Sequence, residues 1–299
     1  MKKTVILSPA KINLTLQIKE RLKNGYHLIS SHMVFLDLFD RIFIENETSD
    51  FLKIIGPFKK IINSNDKDNL ILKTLKFCRK YKLTNDSFKI TLEKNIPISA
   101  GLGGGSSNSA SIIRYFLKNN KNEKVSKILN LSQKLGADIP ACLYSQPLLA
   151  EGIGEKISLI NFCKNLDIGV VLINPNIQLS TRKVFTNFKF KENFRESLIT
   201  QIDNFNDLKE LSIIGNDLKD TAIRIVPEVE KILKIFENTN NCISYGMSGS
   251  GPTCFGIFKS KSSASDFIKK FKNIFEINNF WFWSGGILGE SKRELILPL

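Results

Sequence analysis

The chain reads as an α+β protein of two closely packed domains, and three observations carry that reading. Its 299 residues exceed what one hydrophobic core usually serves. Stretches of period-two alternation and stretches with apolar residues three and four apart follow one another along the chain, with no repeat and no low-complexity linker. A glycine-rich stretch from Pro97 to Ala110, P-I-S-A-G-L-G-G-G-S-S-N-S-A, stands between one such strand and one such helix. The expected domains are residues 1–158 and 159–299. Hydrophobic residues at 42% and charged residues at 24% are ordinary for a globular chain.

Taken in order, Thr4 to Leu7 is the first strand. Ile12 to Ile18 alternates strictly and reads as the second, with Lys11 at its entrance. Lys23-Asn24-Gly25 is a turn leading to Tyr26 and His27. Short strands are expected at Met33 to Leu36, Ile42 to Glu45 and Phe51 to Ile55, the last broken by Gly56-Pro57. Asp68-Asn69 caps a helix that turns Ile71, Leu75 and Cys78 inward. Phe88 to Glu93 alternates like a half-buried strand, and Ala110, Ile113 and Leu117 share a helical face beyond the glycines. A helix over Glu123 to Leu135 buries Val125, Ile128, Leu129 and Leu135 and stops at Gly136. Glu151 to Glu155 is a turn between two strands near the domain junction.

The second half opens with a strand at Ile168 to Ile173, and Thr181 begins a segment that contains Phe185. Asn216-Asp217 caps a helix with Leu218, Ala222 and Ile225 inward, and Pro227 opens another with Val229, Ile232, Leu233 and Phe236 inward. Ser244 to Phe258 is two strands around the glycine turn M-S-G-S-G-P-T. Ala264, Phe267, Ile268 and Phe271 form a helix stripe, and Phe280 to Trp283 returns as a strand, which makes a small helix-backed sheet.

The Pro97 to Ala110 stretch carries the chemistry. Strand, glycine loop and helix N-terminus together build an anion site, because glycines let the backbone approach closely and the first N–H groups of the helix face the ligand. Ser106 and Ser107 add hydroxyl donors and read as N-caps. A plain flexible linker is not bounded so tightly. The P-loop pattern is absent, since no Lys follows the glycines, and the third glycine of G-x-G-x-x-G is missing. No H-R-D or D-F-G set marks a protein kinase. A third kind of phosphate loop remains. Asp138, in G-A-D-I-P, is either a site carboxylate or the N-cap of a short helix with Pro140 in its first turn.

The net charge of +14 could mark a nucleic-acid binder. The basic residues are instead scattered among Asn, Ile and Phe, the residues of A/T-rich codons, so genome composition is the simpler cause and no nucleic-acid partner is expected. An anionic substrate would still benefit from the field. No apolar run reaches membrane-spanning length, and the short run after Lys2-Lys3 is broken by Ser8-Pro9, so neither a membrane nor a signal peptide is expected and the location is cytoplasmic. Five scattered cysteines and two histidines make a zinc site or disulfide framework unexpected.

The loop P-I-S-A-G-L-G-G-G-S-S-N resembles the phosphate loop of the GHMP kinases, which phosphorylate galactose, homoserine, mevalonate and phosphomevalonate. The triple glycine with Ser-Ser-Asn is most similar to the branch acting on cytidine diphosphate methylerythritol, 4-diphosphocytidyl-2-C-methyl-D-erythritol, in the non-mevalonate route to isoprenoid precursors. S-P-A-K-I-N-L, N-G-Y-H-L at Asn24 to Leu28, L-G-A-D-I-P at Leu135 to Pro140, A-E-G-I-G-E at Ala150 to Glu155 and M-S-G-S-G-P-T at Met247 to Thr253 match that branch in order. Asn24 stands where the branch has Asp and Ser99 where it has Gly; Ser99 matters only if that position needs positive φ.

The resemblance implies a two-domain GHMP fold, an N-terminal ATP-binding domain with its phosphate loop and a C-terminal helix-backed antiparallel sheet. It implies ATP-dependent phosphotransfer to the 2-hydroxyl of a small-molecule substrate, with Mg2+ as companion. Asp138 and Lys11 match its catalytic pair. The loop Ile96, Pro97, Ile98, Ser99, Ala100, Gly101, Leu102, Gly103, Gly104, Gly105, Ser106 and Ser107 matches its ATP site, with Asn69 and Lys94 nearby and Ser107 one possible metal ligand. Tyr26, His27 and Phe185 match the positions that hold cytosine, and Asn13 and Thr181 match substrate contacts. A homoserine- or mevalonate-type kinase is the alternative within the family, disfavoured by G-Y-H and G-A-D-I-P. A basic RNA-binding protein is the alternative outside it, disfavoured by the scattered charge.

Overall fold

The computed structural model describes residues 3–59, 69–118, 125–163, 166–190 and 199–289. In chain order these give β1 (Thr4–Asn13), β2 (Gln17–Arg21), β3 (His27–Glu47), β4 (Phe51–Ile55), α1 (Leu70–Lys80), β5 (Ser87–Glu93), α2 (Gly104–Lys118), α3 (Val125–Ser132), α4 (Ile139–Tyr144), β6 (Leu148–Gly152) and β7 (Lys156–Leu159). The second half gives β8 (Asn161–Phe162), β9 (Gly169–Asn174), α5 (Thr181–Asn187), β10 (Gln201–Ile202), α6 (Phe205–Ile214), α7 (Lys219–Ile225), α8 (Glu228–Glu237), β11 (Cys242–Met247), β12 (Cys254–Phe258), α9 (Lys261–Ile277) and β13 (Trp281–Gly286). The first large sheet is organised on β3, which pairs with β1 and β2 along one edge and with β5 and β6 along the other. The second sheet is antiparallel, in the order β11-β12-β9-β13.

Strand β9, G-V-V-L-I-N, is buried on both faces. Val171 and Ile173 pack against Phe236, Phe267 and Phe275 of α8 and α9. Val170 and Leu172 pack the other way, against Ala10, Ile12, Val34 and Leu36 of the first sheet. A continuous apolar run of this kind is what a central, doubly covered strand needs. The two halves therefore share a core, and backbone bonds also cross between them: Leu16 N–H donates to Gly215 O and Asp217 N–H to Leu16 O.

Several expectations are corrected here, each for a tertiary reason. The strand expected over Ile12 to Ile18 is split, because Leu16 turns its backbone toward residues 215–217; Lys11 lies inside β1 and not at a strand entrance. The two short strands around 33–45 are one 21-residue strand. Asp37 and Asp40 lie between the two expected strands without ending β3, since both carboxylates are occupied: Asp37 accepts from Gly286 N–H and Asp40 from Asn95 and Ile96 N–H. Ser106 and Ser107 are not N-caps, since α2 already starts at Gly104.

Helix α3 ends at Ser132, ahead of Gly136, and Val125 is exposed while Ile128 is buried. Glu123 and Asp68 lie outside the described residues; Asn69 alone caps α1, accepting from Ile71 N–H. Asp217 does not cap α7: its carboxylate accepts from Ile18 N–H, and Asn216 accepts from Leu218 N–H. Helix α6 was unexpected, although its capping box Asn204 with Asp207 was legible. Among the described residues no helix is long and apolar enough to cross a membrane.

Candidate active site

A cavity of about 1220 Å³ opens where the two sheets meet. Its floor is the glycine loop. From Ser99 to Gly103 the backbone takes positive φ at every second residue, +52° at Ser99, +75° at Gly101 and +64° at Gly103. At Gly101 a Cβ would lie 2.1 Å from Ser248 O, and at Gly103 it would lie 2.8 Å from the Lys11 stem, so close approach and left-handed geometry both demand glycine. Ser99 adopts left-handed geometry with a side chain, the condition under which its departure from glycine matters. All of Pro97 to Ser106 lines the cavity, whereas Ile96 and Ser107 are buried beneath it.

The loop is held from two sides. Below it, buried Asp40 accepts from the N–H groups of Asn95 and Ile96, from Lys94 Nζ and from Asn108 Nδ2 at 3.0 Å. Burial lowers the Lys94 pKa while Asp40 pulls it back up. From the C-terminal half, Ser248 Oγ donates to Gly101 O at 2.9 Å and accepts Asn13 N–H at 3.1 Å. The second glycine turn thus braces the first. Thr181 Oγ1 meets Ser250 Oγ at 2.9 Å on the same turn.

Lys11 is buried in β1, and its ammonium reaches Asn13 Oδ1 and, at 3.3 Å, Asp138 Oδ2. Asn13 Nδ2 donates in turn to Ser31 Oγ at 2.8 Å. Asp138 occupies the N-cap position of α4, yet its side chain makes no capping bond. The two readings left open by the sequence separate here, because the carboxylate faces Lys11 and the cavity instead of the helix. Burial pushes the nearby Cys142 thiol up to about 12, which keeps it neutral.

The far end of the cavity is aromatic. His27 lies against Phe185 with centroids 5.0 Å apart and against Phe190 at 6.1 Å with near-parallel rings. Tyr26 is 53% exposed at the rim. Burial, then the nearby Arg21 charge, lowers the His27 pKa below its ordinary 6.5. Asn69 and Lys94 line the cavity near the glycine loop, and Asn13 and Thr181 line it between the ends. Sequence reasoning did not single out Asp40, Asn108, Ser248, Ser250, Arg21, Arg182 or Phe190. The M-S-G-S-G-P-T turn was a visible signal for the two serines, but Asp40 sits in a plain strand and left none.

A glycine loop at a helix start, braced beneath a Lys–Asp pair, is the arrangement for holding phosphates beside a proton acceptor. Residues 69–146 match the GHMP kinases N terminal domain and residues 192–277 the GHMP kinases C terminal. The chain belongs to the GHMP kinases. Within that family it is 37% identical, over 91% of this chain and 93% of the relative, to a 4-diphosphocytidyl-2-C-methyl-D-erythritol kinase of Anaplasma marginale (strain Florida). It is 35% identical over 94% of both chains to the enzyme so named in Prochlorococcus marinus (strain MIT 9515). A crystal structure of 4-(cytidine 5'-diphospho)-2C-methyl-D-erythritol kinase superposes with a TM-score of 0.73 at 25% identity, covering 96% of this chain and all of that one. A homoserine kinase from Cytophaga hutchinsonii shares the fold at a TM-score of 0.68 and 15% identity. This GHMP kinase thus has the expected two-domain α+β architecture, and its family transfers phosphate to small molecules.

Proposed function

We propose that this chain transfers the γ-phosphoryl group of ATP to the 2-hydroxyl of 4-diphosphocytidyl-2-C-methyl-D-erythritol. The observation that carries the reading is the 3.3 Å Lys11–Asp138 pair, which shares one cavity with the glycine loop and with the Tyr26, His27 and Phe185 cluster. Asp138 accepts the hydroxyl proton as the new O–P bond forms and the bond to the β-phosphate oxygen breaks, releasing ADP. Lys11, 3.3 Å from Asp138, offsets the charge that develops on the transferring group. Phosphoryl transfer has a loose transition state, so placing the hydroxyl in line matters as much as taking its proton.

Pro97 to Ser106 holds the phosphates, while Ile96, Ser107, Asn69 and Lys94 shape the nucleotide side. Tyr26, His27 and Phe185 take the cytosine, and Asn13 and Thr181 position the sugar-alcohol between the ends. His27 and Phe185 touch each other, so the base stacks on this pair toward Tyr26 and does not enter between the two rings. Residues 1–158 form the ATP-binding domain and residues 159–299 the second. Magnesium fits as an ion carried by the nucleotide: no group of three or more His, Cys, Asp or Glu that could cage a metal exists among the described residues. The Ser107 hydroxyl, buried without a partner at the base of the loop, is an oxygen it could recruit. When bound, magnesium would neutralise phosphate charge. The site acts in the cytoplasm, without nucleic acid or membrane.

The test is ADP release with ATP, magnesium and the cytidylyl substrate, beside homoserine and mevalonate. Turnover with the cytidylyl substrate alone is expected. Turnover with either other alcohol in its place would sink the substrate assignment and leave the family intact.

A further inference from the structure

Among the described residues, the cavity is lined by four Lys or Arg side chains, Lys11, Arg21, Lys94 and Arg182, and by a single carboxylate, Asp138. Two of the cations are already matched, Lys11 by Asp138 and Lys94 by Asp40 beneath the loop. Among the described residues, Arg21 and Arg182 have no ion-pair partner. Both stand at the aromatic end. Arg21 closes β2 directly opposite His27 in the β2–β3 register, near enough that its charge depresses the His27 pKa. Arg182 lies in the first turn of α5, three residues before Phe185, on the adjoining helical position. One arginine therefore flanks each partner of the His27–Phe185 contact, and both are exposed to the cavity.

Two unmatched guanidinium groups in one cavity repel each other and call for an anion. The glycine loop, at the opposite side, supplies its own anion site for ATP. A second anion must enter with the other ligand, next to its base. We propose that Arg21 and Arg182 form a clamp for the diphosphate of the cytidylyl substrate. This clamp sets the preference for nucleoside diphosphate esters over neutral nucleosides. The inference rests on the cytidylyl reading and extends it to residues that the catalytic and aromatic motifs do not include. Arginine suits the task because its planar fork meets two phosphate oxygens at once and stays charged at every working pH.

The experiment uses the full chain at saturating ATP, with CDP and cytidine as inhibitors competing against the cytidylyl substrate. In Arg21→Gln and Arg182→Gln, CDP inhibition is expected to weaken about tenfold each, the scale of one lost charge-assisted hydrogen bond. Cytidine inhibition and the KM for ATP are expected to stay at wild-type values, while the KM for the cytidylyl substrate rises with the CDP constant. Equal weakening of CDP and cytidine would overturn the clamp, because the arginines would then be supporting the aromatic pocket itself. Unchanged CDP inhibition would overturn it as well. Either result in a protein that still turns over the cytidylyl substrate leaves the proposed function standing, whereas a wild-type protein inert toward that substrate removes both.

Discussion

At the reaction end of the cavity Lys11 and Asn13 are buried and bound to each other, to Asp138, to Ser31 and to Ser248. At the base end Tyr26 stands 53% exposed on a turn, Arg21 and Arg182 face the cavity unpaired among the described residues, and the rings touch mainly one another. Under the proposed function, the contrast follows from what each end does. Moving a phosphoryl group rewards atoms already fixed at their final positions. Holding a base by its face and a diphosphate by its charge needs surfaces and cations more than exact hydrogen bonds.

The contrast can be broken hardest at Asp138. Asp138→Asn keeps the shape, removes the proposed proton acceptor and is expected to lower kcat by about 10²–10⁴, with ATP binding near wild type by calorimetry. A kcat close to wild type would take Asp138 out of the chemistry. Tyr26→Ala probes the other end. Stacking at about 1–3 kcal/mol predicts a rise of about five- to 150-fold in KM for the cytidylyl substrate and little change for ATP. If both constants rose together, the two ends would not be separable.

Acidification sharpens the comparison more gently. His27 has a lowered pKa, so the unfolded chain binds this proton more readily than the folded one. Its contribution to stability is present above about pH 6.5 and is lost as pH falls through the lowered value. Substrate KM should rise over the same window, as His27 gains charge beside Arg21, and His27→Gln should flatten that rise in a KM–pH profile. The smallest effect belongs to Ser99→Gly. Relieving a left-handed non-glycine residue should stabilise by about 1 kcal/mol or less, because glycine also gains freedom in the unfolded chain. Thermal unfolding would detect it, and a loss of stability would mean that the Ser99 side chain holds the loop.

Much of this was readable beforehand. The glycine loop, the strand that became β9 and the inward faces of α8 and α9 all rest on local pattern, and local pattern is what a sequence displays; the pairing of Asp138 with Lys11 was implied only by the family resemblance. Less legible were β3 as one strand and Asp40 as the anchor of the loop. Asp37 and Asp40 show no partner in the sequence until Gly286 in one case and Asn95, Ile96 and Asn108 in the other are brought to them. The choice between capping and catalysis at Asp138 was open in the sequence for the same reason.

Residue types and spacings by themselves determined that this chain would have a glycine loop at a helix start and a helix-backed sheet in its second half, because backbone freedom, caps and periodicity act within a few residues. Only the tertiary structure decided that Ser248 would brace Gly101, that Lys94 would be spent on Asp40, and that Arg21 and Arg182 would be left facing the cavity. Those outcomes depend on which groups meet across 54 to 147 positions of chain, and the pairing of charges is settled only when folding brings them within reach.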